Sequence, residues 1–295
     1  MTEPTTPILL DAHDVTIGYH GREIVTGLSI GIERGRFTAL LGPNGCGKST
    51  LLRALAGLLA PKSGAISLEG QPIAQLSRKQ LARRLSFLPQ IPRAPEDITV
   101  RDLVEQGRYP HRRPLAPWSA ADREACVEAL ELTHMAGLAE RPLAALSGGQ
   151  RQRAWLAMTL AQSADILLLD EPTTYLDMAH QLELLVLLRR LVDERGKTIL
   201  AVLHDINQAG QFADTLALLS EGTVISMGSP ADVITTETIR TVFHVDGMVL
   251  ANPVAPCPLF LPRTALASID AADEAAVENE LPRRNCEGPD DSVPR

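Results

Sequence analysis

The run Gly42-Pro43-Asn44-Gly45-Cys46-Gly47-Lys48-Ser49-Thr50 holds the groups that phosphate chemistry requires, at workable spacing. Glycines let several backbone N–H groups turn inward, and a helix starting at the loop adds partial positive charge. Lys48 is placed to reach the β- and γ-phosphates of a nucleoside triphosphate, and the Ser49 hydroxyl to ligate Mg²⁺. With glycine at about 7% of residues, the pattern arises by accident in roughly one chain of this length in a hundred. Cys46 sits beside Lys48 at the helix start, a setting that lowers a thiol pKa.

Further groups stand at the ends of apolar runs. Asp170 and Glu171 close Ile166–Leu169, so they mark the carboxyl end of a buried strand, where open α/β sheets bind ligands. Asp170 is the natural partner of Ser49 at a Mg²⁺ ion. Glu171, one residue on, points differently and has the chemistry to orient or deprotonate an attacking water. His204 ends the next strand and is a donor for a γ-phosphate oxygen. Gln90 ends a strand read at 85–90, which places it at a loop. Ser147-Gly148-Gly149-Gln150 opens a helical run; it reads either as a second phosphate-holding helix start or as a plain N-cap. Tyr19, just before a turn, either stacks on an adenine ring or packs on its sheet.

The elements that must position these groups follow from periodicity. Phe37–Leu41 reads as a buried strand feeding the loop, and apolar residues at 51, 52, 55 and 58 as a helix leaving it. Residues 8–36 alternate around His20-Gly21-Arg22, as antiparallel strands do. A further short strand is expected at 65–70, a basic solvated helix at 77–84, and strands at 198–203 and 215–227. From Ile91 to about Leu160 prolines at 92, 95, 110 and 114 and an amphipathic run replace strand patterning, which predicts a helical insertion in an α/β core. A helix over 179–195, ended by Gly196, is expected to bury Leu182, Leu185, Val186, Leu188 and Leu191.

Length, 295 residues, and 45% hydrophobic content fit an α/β domain of ordinary globular type. No apolar run approaches the 18 or so residues of a membrane span, and the start lacks signal-peptide features. The cysteines at 46, 126, 257 and 286 indicate neither a disulfide framework nor a zinc site. Five of the eight net negative charges fall in 264–295, which is expected to be a disordered acidic tail. The near-balanced remainder has no basic stripe, so no nucleic-acid partner is expected.

Taken in order, Tyr19, the loop 42–50, Gln90, Leu146-Ser147-Gly148-Gly149-Gln150, Ile166–Glu171, Asp177 and His204 resemble the nucleotide-binding subunit of an ABC transporter over residues 8–260. The resemblance implies a P-loop NTPase (RecA-like) core, an N-terminal antiparallel β subdomain and a helical insertion subdomain at about 91–160. By family role, Tyr19 is the adenine-stacking aromatic, Gln90 lies near Mg²⁺, Glu171 is the catalytic base, Asp177 belongs to the D-loop, and His204 is the switch histidine. It also implies ATP and Mg²⁺ as cofactors and a head-to-tail homodimer, in which Ser147, Gly148 and Gly149 of one copy cover ATP held by the other's Lys48. Residues 107–111, 148–155 and 170–181 resemble the ATPases of ferric siderophore importers, with cobalamin and haem importers as near alternatives. That implies a separate membrane permease, an extracytoplasmic substrate-binding protein acting through it, and residence at the cytoplasmic face of the membrane. Soluble ABC proteins of repair or translation would need coiled-coil insertions or two cassettes. A GTPase would need an Asn-Lys-x-Asp motif, which this chain lacks.

Overall fold

The computed structural model describes residues 7–95, 97–112 and 117–266. In chain order its elements are β1 (Ile8–Tyr19), β2 (Arg22–Glu33), β3 (Phe37–Leu41), α1 (Lys48–Leu55), β4 (Ser63–Leu68), β5 (Gln71–Pro72), α2 (Arg78–Arg84) and β6 (Leu85–Leu88). Then come α3 (Val100–Gln106), α4 (Ala120–Leu132), α5 (Gly148–Ala161), β7 (Ile166–Leu169), α6 (Met178–Arg195), β8 (Thr198–Val202) and α7 (Ile206–Phe212). The chain continues through β9 (Thr215–Ser220), β10 (Thr223–Gly228), α8 (Pro230–Val233), α9 (Thr236–Phe243), β11 (Val245–Ala251) and β12 (Pro258–Ala265).

Two sheets carry the fold. The first is antiparallel, in the order β2-β1-β4-β5. Its leading hairpin closes on Tyr19↔Arg22 through His20 and Gly21, both at positive φ (47° and 86°), the backbone that a two-residue turn between twisted strands demands. The second sheet has the order β10-β9-β3-β8-β7-β6, with β9, β3, β8, β7 and β6 parallel and β10 antiparallel at the edge. Strand β3 is buried throughout and divides its contacts by alternation. Phe37, Ala39 and Leu41 join the core beneath α3, α5 and α6, while Leu40 joins the core shared with α1 and the first sheet. Each such fully buried Leu or Phe stabilises the fold by about 1.5–3 kcal/mol.

Parallel pairing aims the loops after β3, β6, β7 and β8 at one edge of the sheet. Those loops carry residues 42–47, Gln90, Asp170-Glu171 and His204. Helices α3, α4 and α5 occupy the expected insertion between β6 and β7. Arg108, just after α3, fastens them: its Nε donates to Asp122 Oδ1 of α4 at 2.9 Å, and its Nη1 to Ala161 O at the end of α5 at 2.7 Å. Both partners of the ion pair are nearly buried.

Two expectations need correction. Helix α6 buries Leu184, Leu185, Leu188, Leu191 and Val192, whereas Leu182 and Val186 are 38% and 47% exposed. At 100° per residue those two fall on the flank opposite the buried stripe, and composition alone had grouped them with it. The tail begins later than 264, because Thr264 and Ala265 pair with Asp246 and Val245 in the β11–β12 hairpin. Residues 267–295, the rest of that expected tail, lie outside the described residues. Helices α8 and α9 and this hairpin had no sequence expectation.

Candidate functional site

The phosphate loop leaves β3 through Gly42 at φ +151°. A Cβ there would lie 2.0 Å from Leu219 O, so only glycine fits against β9. Gly47, at φ +107°, is the N-cap of α1 and gives that helix no side-chain cap. The first-turn N–H groups of α1 therefore remain available to an anion. Lys48 is 5% exposed and folds inward, donating from Nζ to Gly42 O at 2.8 Å and Pro43 O at 2.9 Å. Its ammonium is thus held over the loop by neutral carbonyls, which a phosphate oxygen outcompetes as a charged acceptor.

Ser49, in the first turn of α1, donates to Asp170 Oδ1 at 2.9 Å. Asp170 is fully buried, and its Oδ2 has no hydrogen-bond partner. Burial pushes its carboxyl pKa up, and the neighbouring Glu171 adds to the rise, against the Ser49 hydrogen bond. A buried carboxylate oxygen without a partner, on a group already joined to a hydroxyl, is the donor set a hard cation takes. Ser49 and Asp170 therefore fit Mg²⁺.

Glu171 follows at φ +53°, an unusual backbone for a non-glycine residue that turns its side chain away from that of Asp170. Its Oε2 lies 2.9 Å from His204 Nε2 and accepts from Thr174 Oγ1 at 3.2 Å. Burial works to raise its pKa, but hydrogen bonds from His204, Gln90 and Thr174 outweigh it and hold the carboxyl below its ordinary range. Gln90 stands beside both acids and works to lower each carboxyl's pKa, that of Glu171 through its side chain and that of Asp170 through its backbone. One cleft of about 430 Å³ gathers Asn44, Gly45, Gly47, Lys48, Ser49 and Thr50 from the loop with Gln90, Glu171 and His204.

The other expected site residues stand elsewhere. Ser147 caps α5, accepting from Gln150 N at 3.2 Å while Gln150 Oε1 accepts from Ser147 N at 3.1 Å. Gly148 and Gly149 pack on the turn at Tyr175 and Leu176 and do not line the cleft. Asp177 caps α6, accepting from His180 N at 2.9 Å. Tyr19 ends β1, with Arg53 donating to its hydroxyl at 3.5 Å, and is likewise absent from the cleft lining. Pro43 and Cys46 shape the loop from behind. The Cys46 expectation is overturned: desolvation raises its thiol pKa and outweighs the pull of Lys48, because the side chain is turned into the core.

Sequence reasoning missed Ile24, which lines the cleft from β2, and Thr174, which holds Glu171. Ile24 belongs to an alternating strand and carries no chemical signal. Thr174 lies three residues past Glu171 in a turn, where a hydroxyl bonding back is common, and that spacing was readable.

A glycine cradle with a lysine, a serine–aspartate pair and a polarised glutamate on parallel strand ends defines a P-loop nucleoside triphosphatase. The chain belongs to the ABC transporter family, whose profile matches residues 25–174. It is 47% identical over 252 residues to the iron(3+)-hydroxamate import ATP-binding protein FhuC of Bacillus subtilis, covering 85% of this chain and 94% of that one. It is 46% identical over 258 residues to the ferric enterobactin transport ATP-binding protein FepC of Escherichia coli, covering 87% and 95%. Among solved structures it resembles the ATP-binding cassette MJ0796, a dimer in a post-hydrolysis state bound to ADP and Pi. The TM-score is 0.68 at 28% identity, covering 75% of this chain and 98% of that one.

Proposed function

We propose that this chain is the ATP-hydrolysing subunit of an importer of ferric siderophores, working as a homodimer on a separate membrane permease. The carrying observation is the convergence in one cleft of Lys48, the Ser49–Asp170 pair and the Glu171–His204 pair. Lys48 and the N–H groups of the loop and α1 bind the triphosphate. Ser49, Asp170 and Gln90 would hold Mg²⁺, which when bound neutralises charge between the β- and γ-phosphates. Glu171, kept ionised by its donors, takes a proton from the attacking water, and His204, which steadies Glu171 through Nε2, would give that same N–H to a γ-phosphate oxygen once ATP is bound. Tyr19 is assigned to the adenine.

The position of Ser147, Gly148 and Gly149 supports a dimer. They form a helix start on the surface, outside the cleft of their own chain, and MJ0796 is dimeric with products bound. A second copy would supply them in trans, with Asp177 and Gln150 at the seam. Completing groups given in trans in other P-loop enzymes are worth about 10³–10⁵ in rate. No helix among the described residues is long and apolar enough to cross a membrane; on this reading a separate permease carries the cargo and this subunit works against its cytoplasmic face. An extracytoplasmic binding protein would deliver the chelate to that permease.

The names of FhuC and FepC point to iron(3+)-hydroxamates and ferric enterobactin as the cargo class. The test is uptake of radiolabelled iron as each chelate by a strain lacking the gene, complemented with wild type or Lys48→Ala. Uptake of at least one ferric siderophore should vanish on deletion and return with wild type alone. Normal uptake of every ferric siderophore in the deletion strain would overturn the cargo assignment.

A further inference from the structure

Between α4, α5 and α6, away from the nucleotide cleft, lies a cavity of about 510 Å³. Leu132, Leu156, Leu184, Val186 and Leu187 give it an apolar wall. A smaller hollow of about 200 Å³ adjoins it, sharing Glu128, Leu132 and Arg195. Three arginines line the larger cavity, and their partners differ. Arg195 pairs with Glu128 at 2.6 Å and Arg190 with Glu194 at 3.1 Å. Arg153, from α5, has a buried Nε with no hydrogen-bond partner, and no acceptor among the described residues reaches its guanidinium. Of the acids on the wall, Glu131 and Glu183 are exposed and remain solvated, and His180 is engaged by Asp177 at 2.7 Å.

We infer that this cavity binds a small amphipathic anion, a carboxylate on a hydrocarbon body, with the carboxylate on Arg153 and the body against the leucines. A guanidinium presents a planar fork that matches a carboxylate, and a buried donor without an acceptor is costly until one arrives. The volume lies in the range of ordinary ligand pockets, and the lining sets five apolar side chains beside three arginines, three glutamates, two histidines and a threonine, of which Arg153 alone among the arginines has no partner. The position gives the occupant a consequence. Its walls come from α4 and α5 of the helical insertion and from α6, which begins at Asp177 beside the turn that Gly148 and Gly149 pack against. An occupant braces the insertion against α6 and thereby slows ATP turnover, a clause that rests on the function proposed above.

The experiment is calorimetric titration of the nucleotide-free protein with decanoate, and with decanol as the uncharged comparator. Wild type should bind decanoate saturably, and Arg153→Met should weaken it at least tenfold. Val186→Trp, at a half-exposed position, should fill the cavity and weaken both ligands, with circular dichroism confirming that each variant is folded. Absence of saturable decanoate binding, or equal binding by wild type and Arg153→Met, overturns the site. This arm uses no ATP, so it stands or falls apart from the hydrolytic reading. Saturating decanoate should then lower wild-type turnover several-fold and leave Val186→Trp unaffected; unchanged wild-type turnover refutes the brace.

Discussion

Replacing Glu171 by Gln removes one negative charge and almost no volume, so its effect isolates the proton-accepting role. The acid accepts from His204 Nε2 at 2.9 Å and Thr174 Oγ1 at 3.2 Å, and its pKa is held low by these donors and Gln90 despite burial. At neutral pH it is therefore a carboxylate ready to take a proton, whereas the amide has no such capacity. A positioned general base is worth about 10²–10⁴ in rate. This corresponds to roughly 2.7–5.4 kcal/mol of barrier. Lys48, Ser49 and the loop N–H groups are untouched, so ATP affinity should stay within about threefold, since no contact worth 1 kcal/mol or more is removed. The assay is single-turnover phosphate release from dimeric protein, with nucleotide retention measured in parallel. The pH profile adds a second constraint. Because the folded-state pKa is depressed, wild-type rate should be flat across neutral pH and fall only as pH drops through that lowered value. The stability contributed by the same ion follows the same course: present above the unfolded pKa, lost as pH falls through the folded one. Turnover within about tenfold of wild type in Glu171→Gln would refute the assignment of Glu171 as base.

Two further outcomes follow from the same geometry. Asp122→Ala should destabilise the protein by about 3 kcal/mol in urea titration, because it strands the nearly buried Arg108 guanidinium. Arg108→Met combined with Asp122→Leu should recover most of that loss, and a double variant no more stable than Asp122→Ala would show that the pair is not the fastening between α3 and α4. Alkylation at mildly alkaline pH, followed by mass spectrometry, should modify Cys257 well before Cys46 or Cys126. The first is partly exposed, while the other two are buried, with thiols pushed up and that of Cys126 reaching about 11. Labelling of Cys46 first would mean that the loop opens more readily than its packing allows.

The chemistry at strand ends was legible in the sequence because each group follows a short apolar run whose length and burial leave one reading. Ile166–Leu169 cannot be a surface segment, so Asp170 must emerge at a sheet edge, and parallel pairing with β8, itself parallel to β3, then brings it to Ser49. Local sequence also gave the turn at His20-Gly21 and the stop at Gly196, where φ is 61°. What failed were judgements that depend on which side of an element meets its neighbours. Leu182 and Val186 satisfy a hydrophobic count on α6 yet lie off its buried stripe. Cys46 satisfies the rule for an activated thiol by position, but the direction of its side chain, into the core below Gly42, reverses the sign.

The same distinction governs the groups that leave the cleft of their own chain. Ser147 was open to two readings from sequence, a phosphate-holding helix start or a plain N-cap. In one copy it is the second, with a complete capping box formed with Gln150. The two readings are not rivals once a second copy is admitted. The cap satisfies only some of the first-turn N–H groups of α5, Gly148 and Gly149 present no side chains, and the remaining donors face outward where another chain's triphosphate would supply acceptors. On the dimer proposed above, a helix start that looks merely structural in isolation is what each half must supply, because its anion would arrive with the partner.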